Sequence, residues 1–363
     1  MKGTALDARR CALVGVVALI IAVPGGWFAR EAFWGAYLAA WWFCLGIALG
    51  GLANVWVHNL TGGAWGEPLR APLLALGSVL PLLALLFLPL LFDLSALYPW
   101  SHDAIDWAGE FSRPDFKRVW LSVPFFIVRS VLYLAIWIAL GLLAQRPRWQ
   151  RSQPYAAGAL IVYGLTVSLA AVDWIMSLMP EWYSTTFGLL VGTGQMLSGL
   201  AFAIVLASLA PDPAPRALFR DWGNLLLMYI LTWAYLAFTQ YLIIWAENLP
   251  HEIAWYVPRV QSGWWWIGVL LILGHFFLPL LILLFRHVKE APRLLGSLAA
   301  ALLALHLIDV WWLVLPSLET PGWHALWIAP FSFIALGALT LATWLRQGVH
   351  IEAVPRQGEV QHA

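Results

Sequence analysis

The sequence predicts an all-α polytopic membrane protein with ten transmembrane helices, and three observations carry that prediction. Of 363 residues, 62% are hydrophobic and only 11% charged, against about 25% charged in soluble domains. Mean hydropathy is +0.78. The apolar residues gather in runs close to or above ~20 residues, the length at which a helix crosses a bilayer core with all its backbone groups paired internally.

Taken in order, the first run is Cys11 to Phe28. Lys2, Arg9 and Arg10 precede it as they would a signal peptide, but no small-x-small cleavage site closes it and nine runs follow. It reads as a retained helix. Next come Ala32 to Val57, Ala71 to Phe92, Val119 to Ala144 and Tyr155 to Met179. The remaining runs are Phe187 to Ala210, Trp222 to Ala246, Gln261 to Phe285, Leu294 to Pro316 and Trp323 to Leu345. Internal prolines at 24, 81, 89, 124 and 279 do not break the count, because membrane helices tolerate them. Residues 1–346 thus form one transmembrane domain, and 347–363 a polar cytoplasmic tail. The stretch Asp93 to Arg118 is acidic and reads either as a cover over a site or as a solvated connection.

Lys and Arg set the orientation. Fourteen fall on one side: Lys2, Arg9, Arg10, Arg70, Arg146, Arg148, Arg151, Arg216, Arg220, Arg286, Lys289, Arg293, Arg346 and Arg356. Five fall on the other: Arg30, Arg113, Lys117, Arg118 and Arg259. The positive-inside rule then puts both termini in the cytoplasm. A net charge of +1 gives no support for nucleic-acid binding. The two cysteines, Cys11 and Cys44, are too few for an iron–sulfur cluster, and no C-x-x-C-H run offers covalent haem attachment.

A weak repeat organises the chain. Asp173 precedes Pro180 by seven residues and Asp309 precedes Pro316 by seven, four helices apart and in the same direction. Two parallel four-helix repeats, 32–179 and 187–316, would produce that spacing, leaving two peripheral helices.

Only Arg129, Asp173 and Asp309 carry fixed charge inside the ten runs. Ionisable groups inside a bilayer are costly and have either work or a partner. At 1.5 Å per residue, Asp173 lies roughly 9 Å and Asp309 roughly 10 Å below the outer ends of their helices, and Arg129 about 15 Å below its own. Snorkelling of the arginine would let all three meet at one depth. Arg129 is expected to pair with Asp173 and hold it ionised, either to fix helix register or to serve proton or quinol handling. Asp309, with no arginine in its repeat, is expected to exchange a proton. His275 and His306 fall near mid-membrane, as neutral hydrogen-bonded histidines or as a haem ligand pair. Gln240, Glu247, Asn54 and His58 extend the polar set towards the two faces, as a proton route requires.

The segment Asp173-Trp174-Ile175-Met176-Ser177-Leu178-Met179-Pro180-Glu181-Trp182-Tyr183-Ser184-Thr185-Thr186-Phe187-Gly188 resembles the signature of the ActF family, a membrane subunit of bacterial alternative complex III. The run from Asp221-Trp222-Gly223-Asn224 through Gln240-Tyr241-Leu242 to Asn248-Leu249-Pro250 and Trp255-Tyr256 is similar to it as well. The resemblance covers about 144–316. It implies an NrfD-like subunit of ten helices in a bacterial inner-membrane complex that oxidises quinol and reduces cytochrome c or an oxidase. It also implies partners: an ActC-like sister subunit, an iron–sulfur subunit and multihaem cytochrome c subunits, which would carry the redox centres.

On this reading the chain binds no covalent cofactor or metal and takes quinone or quinol as its ligand. Arg129, Asp173, Trp182 and Tyr183 are the quinone-site candidates, and Asp309, His306, His275, Gln240 and Glu247 the proton-path candidates. The short N-terminus departs from the family. A secondary transporter and a purely structural scaffold subunit remain the alternatives, although the spans carry no clear matched pair of unwound helices.

Overall fold

The computed structural model describes residues 2–102, 114–318 and 324–348. The tail beyond 348 and the acidic residues Asp103, Asp106 and Glu110 lie outside them. Among the described residues there are no strands, and ten helical segments are long and apolar enough to cross a membrane. They are α1 (Asp7–Phe28), α2 (Arg30–Thr61), α3 (Ala64–Ala96), α4 (Val123–Ala144), α5 (Gln153–Leu178), α6 (Phe187–Ser208), α7 (Arg216–Glu247), α8 (Trp264–Leu284), α9 (Pro292–Ser317) and α10 (Ala325–Leu345).

Helix α2 is the axis of the bundle, with 94% of its apolar window buried. It packs on α6 and α10 and, less extensively, on α5 and α9. Glycine permits the approach to α6. A Cβ on Gly50 would stand 1.8 Å from the carbonyl oxygen of Gln195, and one on Gly199 would stand 2.3 Å from the backbone nitrogen of Gly51. Helix α1, with only 22% of its window buried, packs against α10. A Cβ on its Gly15 would meet the Ala335 carbonyl at 2.9 Å.

α1 breaks at Val23–Pro24, and α3 and α8 depart from regular α-helix within the span. In α3, prolines at 72, 81 and 89 alternate helical and 3-10 turns, since proline offers no N–H and crowds the carbonyl four residues back. Side chains of α2 bond carbonyls in this stretch: Trp41 Nε1 donates to Leu83 O at 2.7 Å and Tyr37 Oη to Leu86 O at 2.8 Å. In α8 the turns from Leu271 to Phe277 are π-helical. Pro279 lies four residues after His275 and deprives its carbonyl of the usual donor, which accounts for the widening there.

Candidate functional site

Both aspartates sit on helices that finish alike. α5 is α-helical to Trp174 and then turns 3-10 over Met176–Leu178; α9 is α-helical to Val314 and then 3-10 over Leu315–Ser317. Their surroundings differ.

Asp173 is fully buried, and Arg129 is buried beside it. Arg129 Nε donates to Asp173 Oδ2 at 2.7 Å and Nη2 to Oδ1 at 3.0 Å, a bidentate pair. Trp120 Nε1 adds a bond to Oδ1 at 2.9 Å and Tyr133 Oη one to Oδ2 at 2.8 Å. Four donors thus fill the lone-pair sites of the two carboxylate oxygens. Tyr133 comes from the same face of α4 as Arg129, one turn on. The guanidinium carbon lies 4.1 Å from the ring centre of Trp120 and 4.3 Å from that of Phe125. Such cation–π contacts stabilise the charge by about 0.5–2 kcal/mol each. Arg129 Nη1 is buried with no hydrogen-bond partner among the described residues. Behind the aspartate, Trp174 Nε1 donates to Ser130 Oγ at 2.9 Å, while Tyr98 Oη and Trp100 Nε1 donate to the carbonyls of Trp174 and Ser177.

Asp309 is equally buried but poorly partnered. Trp233 Nε1 of α7 donates to Oδ2 at 3.2 Å. His306 Nδ1, one turn back on α9, stands 3.5 Å from the same oxygen and has no hydrogen-bond partner among the described residues. His275 is fully buried in the π-helical turn; its ring centre lies 4.4 Å from that of Trp233 and 6.1 Å from that of His306. Neither nitrogen of His275 has a partner among the described residues. A small cavity opens beside His306 and Asp309, walled by Trp42 and Gly46 of α2 and by Gln195 of α6.

The three fixed charges therefore do not meet. Arg129 is committed to Asp173, and Asp309 keeps company with a tryptophan and two histidines. Trp182 and Tyr183 belong to a third assembly. Trp182 is buried flat against Trp255, with ring centres 4.3 Å apart and planes at 16°, and it meets Phe187 edge-on. Tyr183 is half exposed and lies parallel to His251.

Gln240 also sits apart from the Asp309 cluster. Its Oε1 accepts from Ser184 Oγ at 2.9 Å and Thr186 Oγ1 at 3.5 Å, and its Nε2 donates to Tyr256 Oη at 3.3 Å. It tethers the Ser-Thr-Thr turn to α7 and to the following loop. Glu247 is exposed at the end of α7. Asn54 and His58 are likewise occupied elsewhere. Asn54 Nδ2 donates to the carbonyls of Gly50 and Met196, and its Oδ1 accepts from Tyr229. His58 shares Arg70 with Asn59 and the Gln150 carbonyl.

Sequence reasoning passes over Arg259. It is fully buried, and its guanidinium carbon lies 3.4 Å from the centre of the Trp255 ring. It donates to the carbonyls of Trp255, Trp312 and Leu313 and to Ser317 Oγ. Burial pushes its guanidinium well below the usual arginine range. A cation on the last carbonyls of α9 complements the negative end of that helix and clamps the loop after α7 onto it. The chain matches no protein-family model and no curated protein.

Proposed function

We propose that the chain is the ActF-type membrane subunit of a quinol-oxidising respiratory complex of the alternative complex III kind, with both termini cytoplasmic and electrons carried by partner subunits. The observation that carries the proposal is the contrast between the two buried aspartates. Asp173, on the motif that carries the family resemblance, has its hydrogen-bonding capacity filled, two of its four bonds coming from Arg129. Asp309 and its histidines retain capacity inside the membrane, where ionisable groups serve proton or ligand handling.

Quinol oxidation releases two electrons and two protons. Partner iron–sulfur and haem groups take the electrons, and a carboxylate is suited to accept a proton. On this reading Arg129 offers its remaining Nη1 donor to a quinone oxygen, with Trp120 and Phe125 as ring surfaces near by. Asp309 with His306 and His275 handles protons. Gln240 holds the Ser-Thr-Thr turn, and Trp182, a quinone-site candidate, is stacked on Trp255.

A scaffold role is the second reading, and the saturated Asp173 favours it. A transporter finds less support. The helices of the two sets that are irregular in mid-span are α3 and α8, the second and the third of their sets, so they are not the matched pair of unwound helices that a transporter repeat uses.

The test is purification of the tagged chain from its native membrane in mild detergent. Co-purification with iron–sulfur and multihaem cytochrome subunits, and quinol-driven cytochrome c reduction by the assembly, is the expected result. A chain recovered without redox partners overturns the proposal. An Asp309→Asn complex with unchanged turnover and proton release leaves only the scaffold.

A further inference from the structure

We infer that the cavity beside Asp309 is an internal water site, in which one ordered water is shared by Gln195, His306 and Asp309. The inference concerns local chemistry and stands whether or not the chain serves a quinol-oxidising complex.

The walls of the cavity carry matching chemistry. Gln195 is buried and its Nε2 has no hydrogen-bond partner among the described residues, while its Oε1 accepts from Tyr163 Oη at 3.0 Å. Tyr163 Oη, which also has the Gly192 carbonyl at 3.5 Å, takes the oxygen end of the amide. Its NH2 group is therefore the end left for other partners. Among the described residues His306 Nδ1 is likewise unpartnered, and Asp309 has one donor, Trp233, for oxygens that accept about four bonds. A buried water needs a site of about its own size and two to four polar partners. The cavity has room for about one. A donor from Gln195, an acceptor from Asp309 and a ring nitrogen from His306 make three.

The backbone holds these groups in register. A Cβ on Gly194 would stand 2.5 Å from His306 Cε1, so the imidazole rests on α6 one residue from Gln195. A Cβ on Gly46 would stand 3.1 Å from Gln195 Cγ. Helix α2 thus supports the amide from one side while α9 presents Asp309 and His306 to the same cavity. The water completes a hydrogen-bonded line from Tyr163 on α5 through Gln195 on α6 to Asp309 on α9. It gives the Asp309 carboxyl a partner for hydrogen exchange that Trp233, a donor only, is not.

The purified full-length protein provides the test, with no turnover required. A density map that resolves carboxylate side chains should contain a peak within hydrogen-bond distance of both Gln195 Nε2 and Asp309. Acid-induced infrared difference spectra of the wild-type protein should contain a water O–H stretch that moves when H2-18O replaces H2-16O. Gln195→Leu should abolish that stretch and shift the carboxyl band that Asp309→Asn identifies. Gly46→Ala, which narrows the cavity, should weaken the stretch. A map in which Gln195 Nε2 bonds Asp309 directly, or spectra with no isotope-sensitive water band, would overturn the assignment. Because the wild-type measurements need no variant, a Gln195→Leu chain that fails to fold leaves the test intact.

Discussion

The pairing of Arg129 with Asp173 makes a quantitative prediction through Asp173→Asn. The carboxylate accepts four hydrogen bonds, two from Arg129 and one each from Trp120 and Tyr133. An amide keeps one oxygen with two lone pairs and turns two donors towards groups that are themselves donors. About two bonds are lost, and the guanidinium keeps its charge with no counter-charge. Breaking a buried pair from one side costs about 3–5 kcal/mol. Arg129→Gln should cost a similar amount, since it strands the anion.

The double variant removes the charge mismatch and leaves only neutral groups, so the two costs must not add. A double-mutant cycle should return a coupling energy of about 2–3 kcal/mol. Unfolding of the purified protein by denaturant titration in mixed micelles, followed by tryptophan fluorescence, supplies the four stabilities. Additive costs, with a coupling below about 0.5 kcal/mol, would refute the claim that Arg129 and Asp173 stabilise each other.

Gly50→Ala must push α2 and α6 apart, because its Cβ would stand 1.8 Å from the Gln195 carbonyl, whereas a Cβ on Gly158 meets nothing within 4 Å. Size-exclusion profiles should therefore collapse for Gly50→Ala and stay monodisperse for Gly158→Ala. Arg259→Lys replaces a fork serving four acceptors with a point charge. Limited proteolysis should then cut between 249 and 263 faster, and unchanged protection would dismiss the clamp.

At the surface, the Arg286 guanidinium beside Glu290 holds its carboxyl below the usual glutamate range. A carboxyl depressed on folding adds stability above its unfolded value and loses it as pH falls through the folded one. The melting difference between wild type and Glu290→Gln should thus be present near neutrality and shrink on acidification. A difference that grows on acidification would contradict the sign.

How much of this was legible in the sequence varies by the kind of information needed. Helix number follows from apolar run length alone, whereas helix ends do not: the third helix begins at Ala64 and the seventh at Arg216, ahead of the apolar runs from Ala71 and Trp222. The Arg129–Asp173 pair was legible because few fixed charges fall inside the spans and each needs a partner. Trp120 and Trp233 were not legible as donors to the two aspartates, since indole N–H groups leave no mark in hydropathy and reach the site from other segments.

Among the described residues the side chains from Asp309 to Glu247 form no direct hydrogen-bonded line. Trp233 and Gln240 share a face of α7, but seven residues separate them by roughly 10 Å along the axis, more than one hydrogen bond spans. Gln240 instead serves the Ser184–Thr186 turn at its own level. Polarity along a helix fixes depth; it does not say which neighbour stands at that depth.

The two aspartates then argue from one comparison. Both helices end in a 3-10 turn, which begins three residues after Asp173 and six after Asp309. The larger difference is the helix opposite. α4 presents Arg129 and Tyr133 to Asp173, and α8 brings His275 near Asp309 from a turn that Pro279 has widened. A π-helical turn re-aims the side chains it carries, and here it brings the His275 ring edge-on to Trp233, the donor to Asp309. If that widening builds the Asp309 site, Pro279→Ala should restore the regular helix. It should also turn His275 away and change the Asp309 carboxyl band in infrared difference spectra, while leaving the Arg129–Asp173 coupling energy as it was. A carboxyl band unmoved by Pro279→Ala would mean that the π-helical turn is a consequence of packing alone.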